Sequence, residues 1–538
     1  MLLRYAHSPQ FDIHVRWRRA LAAVLAAVLL YFLIPEAVPV AQSADLVIED
    51  RTRLAVSLTV FLLLSFILRP VPFYVTSLLP LILFPLFGLG SFQGALSAYG
   101  SDFALALGCA LLYAAEMHYR KLDERIACVF LQSCGPNQRS LLLNGIVIAG
   151  FFSMWYFNGL VGALALPVLL AVRRIYGEYL RTSEKERIAH FFSVFVIGIA
   201  FAVTIGGISN VLGHPINIAL YRFSKLAYGN NLSPTEWLMM GLTFFCFAVF
   251  CTYFLLSRSL AAKTAPQTET KFFYFLIREN KSLGRMKKTD AVFIALLGLT
   301  LCGWLVSSVV HMYFAATKLP QFFSSVHVNI CGILLLAALH AAEMRIDRRR
   351  MAESIRMQPW WVLLFLGACF AIGQILDVSG VVSGFATIFA YLLQTHTAAA
   401  PVLLVAAALI LGNVMPTVSI GSLLTLFFGT LLVLVPEAGQ ETAVMLTLVS
   451  SSAFLIPTGS LQSLLFYSAA SFRMRDFFKY GILLCIILLP ILITLPRYIH
   501  TASAPLHHSI IAEEQNEELT LQDAPKMPSA QKPADSER

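Results

Sequence analysis

Residues Thr204–Tyr221 read TIGGISNVLGHPINIALY, in which Gly206, Gly207, Asn210, Gly213, His214, Pro215 and Asn217 interrupt an otherwise apolar region. Hydrocarbon cannot hydrogen-bond, so irregular backbone at membrane depth is tolerated only when buried in protein or lining a wet cavity. The glycines admit unusual dihedrals, and Pro215 suits the first turn of a new half-helix. The N–H groups freed at that helix start carry positive partial charge and favour an anion. Carbonyls of unwound backbone and amide oxygens can hold Na+. Asn158-Gly159, Asn413 and the stretch GSLQSLLFY from Gly459 place similar residues in similarly apolar surroundings. Asparagines at such points can simply cap helices, but polar residues at membrane depth are functional candidates by default. His214 and Ser460 are candidate donors beside the half-helix tips, and His214 would make anion binding depend on pH.

Such residues need a membrane-embedded scaffold, and the composition supplies one. Of 538 residues, 58% are hydrophobic and 13% charged, with a mean hydropathy of +0.74; a soluble chain carries nearly twice that charge. Apolar runs lie at Leu21–Leu33, Leu54–Leu68, Val75–Leu89, Phe103–Ala115, Trp237–Leu256, Ala291–Val310, Val328–Leu339, Trp360–Ile375 and Tyr480–Leu495. A bilayer needs roughly 20 mainly apolar residues per helix, so the shorter runs borrow neighbours or belong to broken helices. Basic residues fall in alternate connections, at Arg16–Arg19, Arg69, Arg120–Arg125, Arg258–Lys288, Arg348–Arg350 and Arg473–Lys479. Positive loops mark the inner face, so the net charge of +9 is loop charge rather than a nucleic-acid surface.

Leu141–Val172 is apolar yet flanked by Arg139 on one side and Arg173 and Arg174 on the other. A segment that leaves and returns to the same positive side is a re-entrant hairpin, here with Asn158 and Gly159 at its tip. A second hairpin, free of lysine and arginine, surrounds Asn413. Leu122, Ile126, Val129 and Phe130 share one face of a short helix that suits the membrane surface. Glu116 and Glu343 read as solvated or snorkelled charges at helix ends, and the nine cysteines, without a CxxC pair, as packing residues. Val40–Ala44 resembles a signal cleavage site, but a retained first helix preserves the charge alternation.

Two halves echo each other: LGCALLYAA at Leu107 and LGACFAIGQ at Leu366, Asn158 and Asn413, GHPINIALY at Gly213 and GSLQSLLFY at Gly459. The expected fold is an all-α polytopic membrane protein of about eleven transmembrane helices and two re-entrant hairpins in an inverted repeat. Its expected divisions are an N-terminal region with the first helix (1–52), a first repeat (53–256), a basic loop (257–289), a second repeat (290–499) and an acidic polar tail (500–538).

FFSMWYFNGLVGALALPVLLAV and TIGGISNVLGHPINIAL resemble the first hairpin and the loop that follows it in the divalent anion/sodium symporters, the Indy-type di- and tricarboxylate and sulfate carriers. SSSAFLIPTGSLQSLLFYSAASFRMRDFFKYGILL resembles their second-half break and final span, and ILGNVMPTVSIGSL stands where their second hairpin belongs. The resemblance, running from about Leu54 to Ile499, implies a dimer of a static scaffold and a transport domain that crosses the membrane like an elevator. It implies a first sodium site at Ser153, Asn158 and the Gly213 carbonyl, and a second at Asn413 and the Gly459 carbonyl, where Ala408 replaces a hydroxyl. The substrate-facing set it implies is Asn158, Gly159, His214, Asn217, Asn413 and Ser460.

The departures are specific. The triplets that read SNT in the family read Phe157-Asn158-Gly159 and Gly412-Asn413-Val414 here. Both asparagines persist, but four hydroxyls are gone, each worth about 1.5–3 kcal/mol when bonded to a charge. The expected function is a secondary active anion carrier with Na+ as coupling ion and no cofactor. It sits in the plasma membrane rather than an internal one, in contact with lipid and as a homodimer. A sodium-independent exchanger and a transport-inactive scaffold remain open. An enzyme is disfavoured, because no GxSxG, HExxH or phosphate-binding loop is present.

Overall fold

A computed structural model describes residues 16–498 apart from 36, 40–44, 48, 181–184, 229–233, 261–265, 315–318, 320–322, 344–346, 396–398, 436–439 and 470–471. The signal-like Val40–Ala44 stretch and the acidic tail lie outside the described residues. Helix α1 (Trp17–Leu33) is followed by a small antiparallel pair, β1 (Ala37–Pro39) and β2 (Asp45–Val47), with Ala37 opposite Val47. This pair is the one departure from an all-α chain among the described residues. Then come α2 (Asp50–Leu68), α3 (Phe73–Leu86), α4 (Phe92–Tyr99), α5 (Asp102–Tyr119), α6 (Leu122–Cys134), α7 (Gln138–Trp155), α8 (Asn158–Leu180), α9 (Lys185–Ser209), α10 (Pro215–Tyr228) and α11 (Pro234–Ser257). After α12 (Pro266–Ser282) follow α13 (Lys288–Tyr313), α14 (Ser325–Ala342), α15 (Arg348–Arg356), α16 (Trp361–Val378), α17 (Val381–Thr395), α18 (Ala399–Val414), α19 (Thr417–Leu434), α20 (Gln440–Ser450), α21 (Leu461–Ser468) and α22 (Met474–Thr494).

Helix is the expected outcome in lipid, because it satisfies every backbone group within one segment. Among the described residues eight helices are long and apolar enough to cross a membrane, or nine if the bent pair α4–α5 is one span. Full-length helices thus fall short of about eleven; several further apolar helices have only 10–17 residues, among them α3, α17 and α20.

The short helices cluster around breaks, and the breaks recur in the same order. Helix α7 ends at Trp155 and α8 starts at Asn158; α18 ends at Val414 and α19 starts at Thr417, after Pro416. Between α9 and α10, Asn210 is extended (φ −138°, ψ 147°), Val211–Gly213 form a 3-10 turn, and His214 is extended (φ −143°, ψ 135°). Between α20 and α21 the path repeats: Ile456 (φ −130°, ψ 133°), a 3-10 turn over Pro457–Gly459, then Ser460 (φ −139°, ψ 134°). Neither Gly213 nor Gly459 sits in a continuous helix.

Close backbone approach holds the helices around these breaks, as is usual where small residues replace hydrophobic drive inside lipid. A Cβ on Gly241 of α11 would lie 1.7 Å from the Ser209 carbonyl, and one on Gly481 of α22 1.9 Å from the Phe454 carbonyl.

Three peripheral features differ from, or refine, the sequence reading. The stretch expected as a basic loop contains α12, which buries Phe272 and Leu276. The Phe272 ring lies 4.7 Å from that of Tyr179; Phe272, Phe275 and Leu276 follow helical spacing. Helix α6 buries Leu122, Ala127, Cys128 and Leu131 against the protein and leaves Ile126 and Val129 exposed, so only part of the expected apolar face is free for lipid. Glu116 is no solvated charge: its side chain is 2% exposed and ion-paired with Arg120 and, at 2.9 Å, His340. Arg120 also reaches Asp290 (3.1 Å) and Glu343 (2.8 Å). Burial works against the guanidinium charge, yet Glu116, Glu343 and Asp290 together hold its pKa above the ordinary value.

Candidate functional site

At the first break the oxygens converge. Ser153 Oγ lies 2.7 Å from both Asn158 Oδ1 and the Val203 carbonyl, and its single proton can serve only one of them. A Cβ on Gly213 would stand 2.7 Å from the Ser153 carbonyl and 3.0 Å from that of Gly207. Gly207 in turn packs so close to Asn158 that a Cβ would touch its Oδ1 at 2.3 Å. Asn217 donates 2.9 Å hydrogen bonds to the Gly207 and Asn210 carbonyls, while its own Oδ1 is buried without a partner. The three residues Ser153, Asn158 and Gly213 thus meet in one oxygen-rich cluster. The Asn158 Nδ2 group makes no hydrogen bond among the described residues.

The second break has the same layout with a different division of labour. A Cβ on Gly459 would meet the Gly412 and Asn413 carbonyls at 2.6 and 2.7 Å. Asn413 donates to the Leu409 and Ser452 carbonyls (2.8 and 3.1 Å) and accepts from the Leu455 N–H (2.7 Å), so its amide is committed to the unwound chain. Ser460 Oγ donates to Ser463 Oγ at 2.6 Å. Thr458 Oγ1 and Gln462 Oε1 are buried without a partner. Asn413→Ala removes three hydrogen bonds and is expected to lower stability by about 2–4 kcal/mol, whereas Asn158→Ala, which loses one, costs less. Melting of the purified protein followed by intrinsic fluorescence checks the order; an Asn158→Ala protein that melts lower than Asn413→Ala contradicts it.

The two breaks interlock. His214 Nε2 lies 2.5 Å from Thr417 Oγ1 at the start of α19, and its Nδ1 accepts from the Ile216 N–H at 3.4 Å. This leaves a neutral ring with both nitrogens engaged. Reciprocally, Gln462 Nε2 donates to Thr204 Oγ1 at 2.8 Å. A Cβ on Gly162 of α8 would collide with Gln462 at 2.6 Å, and one on Gly159 would meet Leu461 at 3.2 Å and the Phe157 ring at 2.8 Å. Each half-helix therefore packs on the second arm of the other series' broken pair, and Asn158, Gly159, His214, Asn217, Asn413 and Ser460, all buried, belong to one contiguous cluster.

A cavity of about 370 Å3 opens beside it. Its lining includes Trp155–Phe157, Pro215 and Arg222 together with Asp102, Phe103, Trp304, Ser307, His311 and Phe370. A larger cavity, about 900 Å3, lies on the side of Arg69, Arg173 and Arg473. There Arg69 donates to the Tyr467 hydroxyl at 3.1 Å and stacks over its ring.

The family described as "Citrate transporter" matches residues 61–448, a stretch that contains both broken pairs and the first half-helix. The chain belongs to the citrate transporter family. Within it, the resemblance to the divalent anion/sodium symporters holds: the chain is 24% identical over 335 residues to the sodium-dependent dicarboxylate transporter SdcS of Staphylococcus saprophyticus. It is likewise 24% identical over 331 residues to SdcS of Staphylococcus aureus. These matches cover 62% and 60% of this chain and 64% and 62% of the relatives, so it spans under two thirds of their length. Among solved structures, Neisseria gonorrhoeae MtrF aligns over 94% of this chain and 99% of its own at 14% identity and a TM-score of 0.36.

For this member of the citrate transporter family, the sequence-derived residues come together, but their partners were not legible. Thr204, Thr417 and Gln462 join the site from the opposite series, and no local pattern marks a pairing across more than 200 positions. Arg222, seven residues beyond Pro215 on an amphipathic half-helix, carried a readable signal: a lone arginine among apolar neighbours.

Proposed function

We propose that the chain is a secondary active carrier of anions of the di- or tricarboxylate or sulfate class, coupled to Na+ and working by elevator-type alternating access. The observation that carries this reading is the pair of matched breaks, each with buried acceptors left unpaired: Asn217 Oδ1 in one, Thr458 Oγ1 and Gln462 Oε1 in the other. A buried polar group without a partner costs about 1–3 kcal/mol, and a bound cation would take up such oxygens. In this reading Ser153, Asn158 and the Gly213 carbonyl hold one sodium ion, and Asn413 with the Gly459 carbonyl supports a second. The anion then sits at Asn158 Nδ2 and the half-helix starts at His214 and Ser460. Sodium draws α7, α8 and the first break together and supplies positive charge next to the anion.

The carrier is an integral multi-pass protein of the plasma membrane, its two series are inverted copies, and it works as a homodimer through the helices outside the cluster. Separate cavities on the Arg222 and the Arg69 sides support alternating access. An exchanger without sodium is the second reading, favoured by the saturation of Asn413 with backbone partners.

Uptake of labelled succinate, citrate and sulfate into proteoliposomes, with and without an inward sodium gradient, is the test. Sodium-stimulated uptake that Asn158→Ala reduces at least ten-fold is the expected result. Equal uptake without sodium moves the assignment to the exchanger. No uptake of any anion by folded protein overturns the carrier.

A further inference from the structure

Helix α12 has two unlike faces. Phe272 and Leu276 are buried, and the Phe272 ring packs on Tyr179 at 4.7 Å and Tyr176 at 6.1 Å, near the end of α8. On the other side Phe273, Tyr274 and Ile277 are 40%, 71% and 45% exposed. Ile277 neighbours Phe273 at i+4 and Tyr274 at i+3, so the three form one patch rather than scattered surface residues. Lys271, Arg278 and Lys281 border that patch, and Arg285, Met286, Lys287 and Lys288 follow it, all exposed. None of these cations makes an ion pair among the described residues. From Thr270 to Thr289 the one carboxylate is Glu279, and it turns away to Arg174 at 3.5 Å. The positive-inside rule accounts for cations in a connection on this side, but not for an aromatic and aliphatic stripe set among them.

The helix is also held at the level where the spans end. Phe272 lies against the end of α8, and only residues 283–287 separate Ser282 from the start of α13. Both α8 and α13 are long and apolar enough to cross a membrane. A link of that length reaches at most about 20 Å. Arg125 of α6 shortens the reach further by donating to the Leu283 and Gly284 carbonyls at 3.0 and 2.8 Å. We propose that the outer face of α12 docks on the anionic headgroups of the inner leaflet, with Phe273, Tyr274 and Ile277 at the acyl boundary and Lys271, Arg278 and Lys281 on lipid phosphates. A helix with an apolar stripe bordered by basic residues lies in the interface plane, and an anionic leaflet attracts each cation within a Debye length of it. Through Phe272, α12 ties the helix that begins at Asn158 to that leaflet.

Hydrogen exchange of the full chain in lipid nanodiscs, read by mass spectrometry, tests this without requiring transport. Amides of residues 270–288 are expected to exchange at least five-fold more slowly in nanodiscs containing phosphatidylglycerol than in phosphatidylcholine alone. Salt at about 0.5 M, where charges are screened within about 4 Å, should remove most of the difference. Lys271→Gln, Arg278→Gln and Lys281→Gln together should abolish it, and Phe273→Ser with Ile277→Ser should at least halve it. All five side chains are exposed, and unchanged exchange in α7 and α9 verifies that the variants keep the fold. Equal exchange of the unaltered protein in the two lipids overturns the proposal and leaves the face to a protein partner. A lipid difference that survives the triple exchange also overturns it. So does equal protection by soluble glycerophosphoglycerol added to phosphatidylcholine nanodiscs, which would make the ligand a free phosphate rather than a lipid surface.

Discussion

Arg120→Ala is expected to prevent recovery of folded protein. The guanidinium is 2% exposed and is shared by Glu116 of α5, Asp290 at the start of α13 and Glu343 just beyond α14. Without it, three carboxylates lose their shared cation, and what remains is His340 against Glu116 and the Lys287 N–H on Asp290. Breaking a buried ion pair from one side costs about 3–5 kcal/mol, a large part of a total stability of about 5–15 kcal/mol. Here three pairs break at once, and α5, α13 and α14 lose their common tie. Arg120→Lys should recover only part of the loss, because an ammonium cannot serve three carboxylates with a fixed fork. Size-exclusion chromatography of detergent extracts reads the outcome: a collapsed monodisperse peak for alanine, a diminished one for lysine. Arg349→Ala removes a pair whose side chains are 90% and 60% exposed and should behave as the unaltered chain. An Arg120→Ala protein that runs and melts like the parent would show the cluster to be incidental.

Gly412→Ala and Gly241→Ala form the second strong expectation. A Cβ at position 412 would lie 1.8 Å from the Ser450 carbonyl, and at position 241 1.7 Å from that of Ser209. Both obstacles are backbone, so no rotamer change relieves them. Forced overpacking costs about 1–3 kcal/mol where side chains can shift, and rigid helix-to-helix contact belongs at or above the upper end. Position 412 also sits one residue from Asn413, so displacing α18 from Ser450 disturbs the second break. The same exchange at Gly298 or Gly429, where no atom lies within 4 Å, should leave melting unchanged or raise it, because alanine favours helix by up to about 1 kcal/mol. Equal melting temperatures for Gly412→Ala and Gly429→Ala would refute the close-packing account.

What could be read in the chain depended on range. Gly206, Gly207, Gly213, Pro215 and Asn217 announce a break within eighteen residues, because each acts on its own backbone, and the break is there. Asn158 could be placed at a helix start for the same reason. Phe157 stands where the family has serine, and its ring covers Gly159 and lines the cavity. Nothing local sets Arg120 apart from other basic residues at helix ends; its role depends on Asp290 and Glu343, which arrive 170 and 223 positions later. The equivalence of Asn158 and Asn413 was legible as a repeat, but not their different duties. Whether an amide stays uncommitted or bonds an unwound segment is decided by the path of residues 451–456, which hydropathy does not encode. The helix in the basic connection has a local signal in the spacing of Phe272, Phe275 and Leu276, set among lysines and arginines that otherwise mark a loop.

The hydrogen bond from Gln462 to Thr204 spans 258 residues, and that distance is also an interval of time. A ribosome adding about 5–20 residues per second delivers Gln462 roughly 13–50 s after Thr204. Throughout that interval the Gly162 face of α8 lacks Gln462, and the Thr204 hydroxyl has only the Ala200 carbonyl of its own helix. The nascent chain therefore completes its centre almost last, and a stop codon that spares the first four fifths of the protein still leaves its middle unassembled.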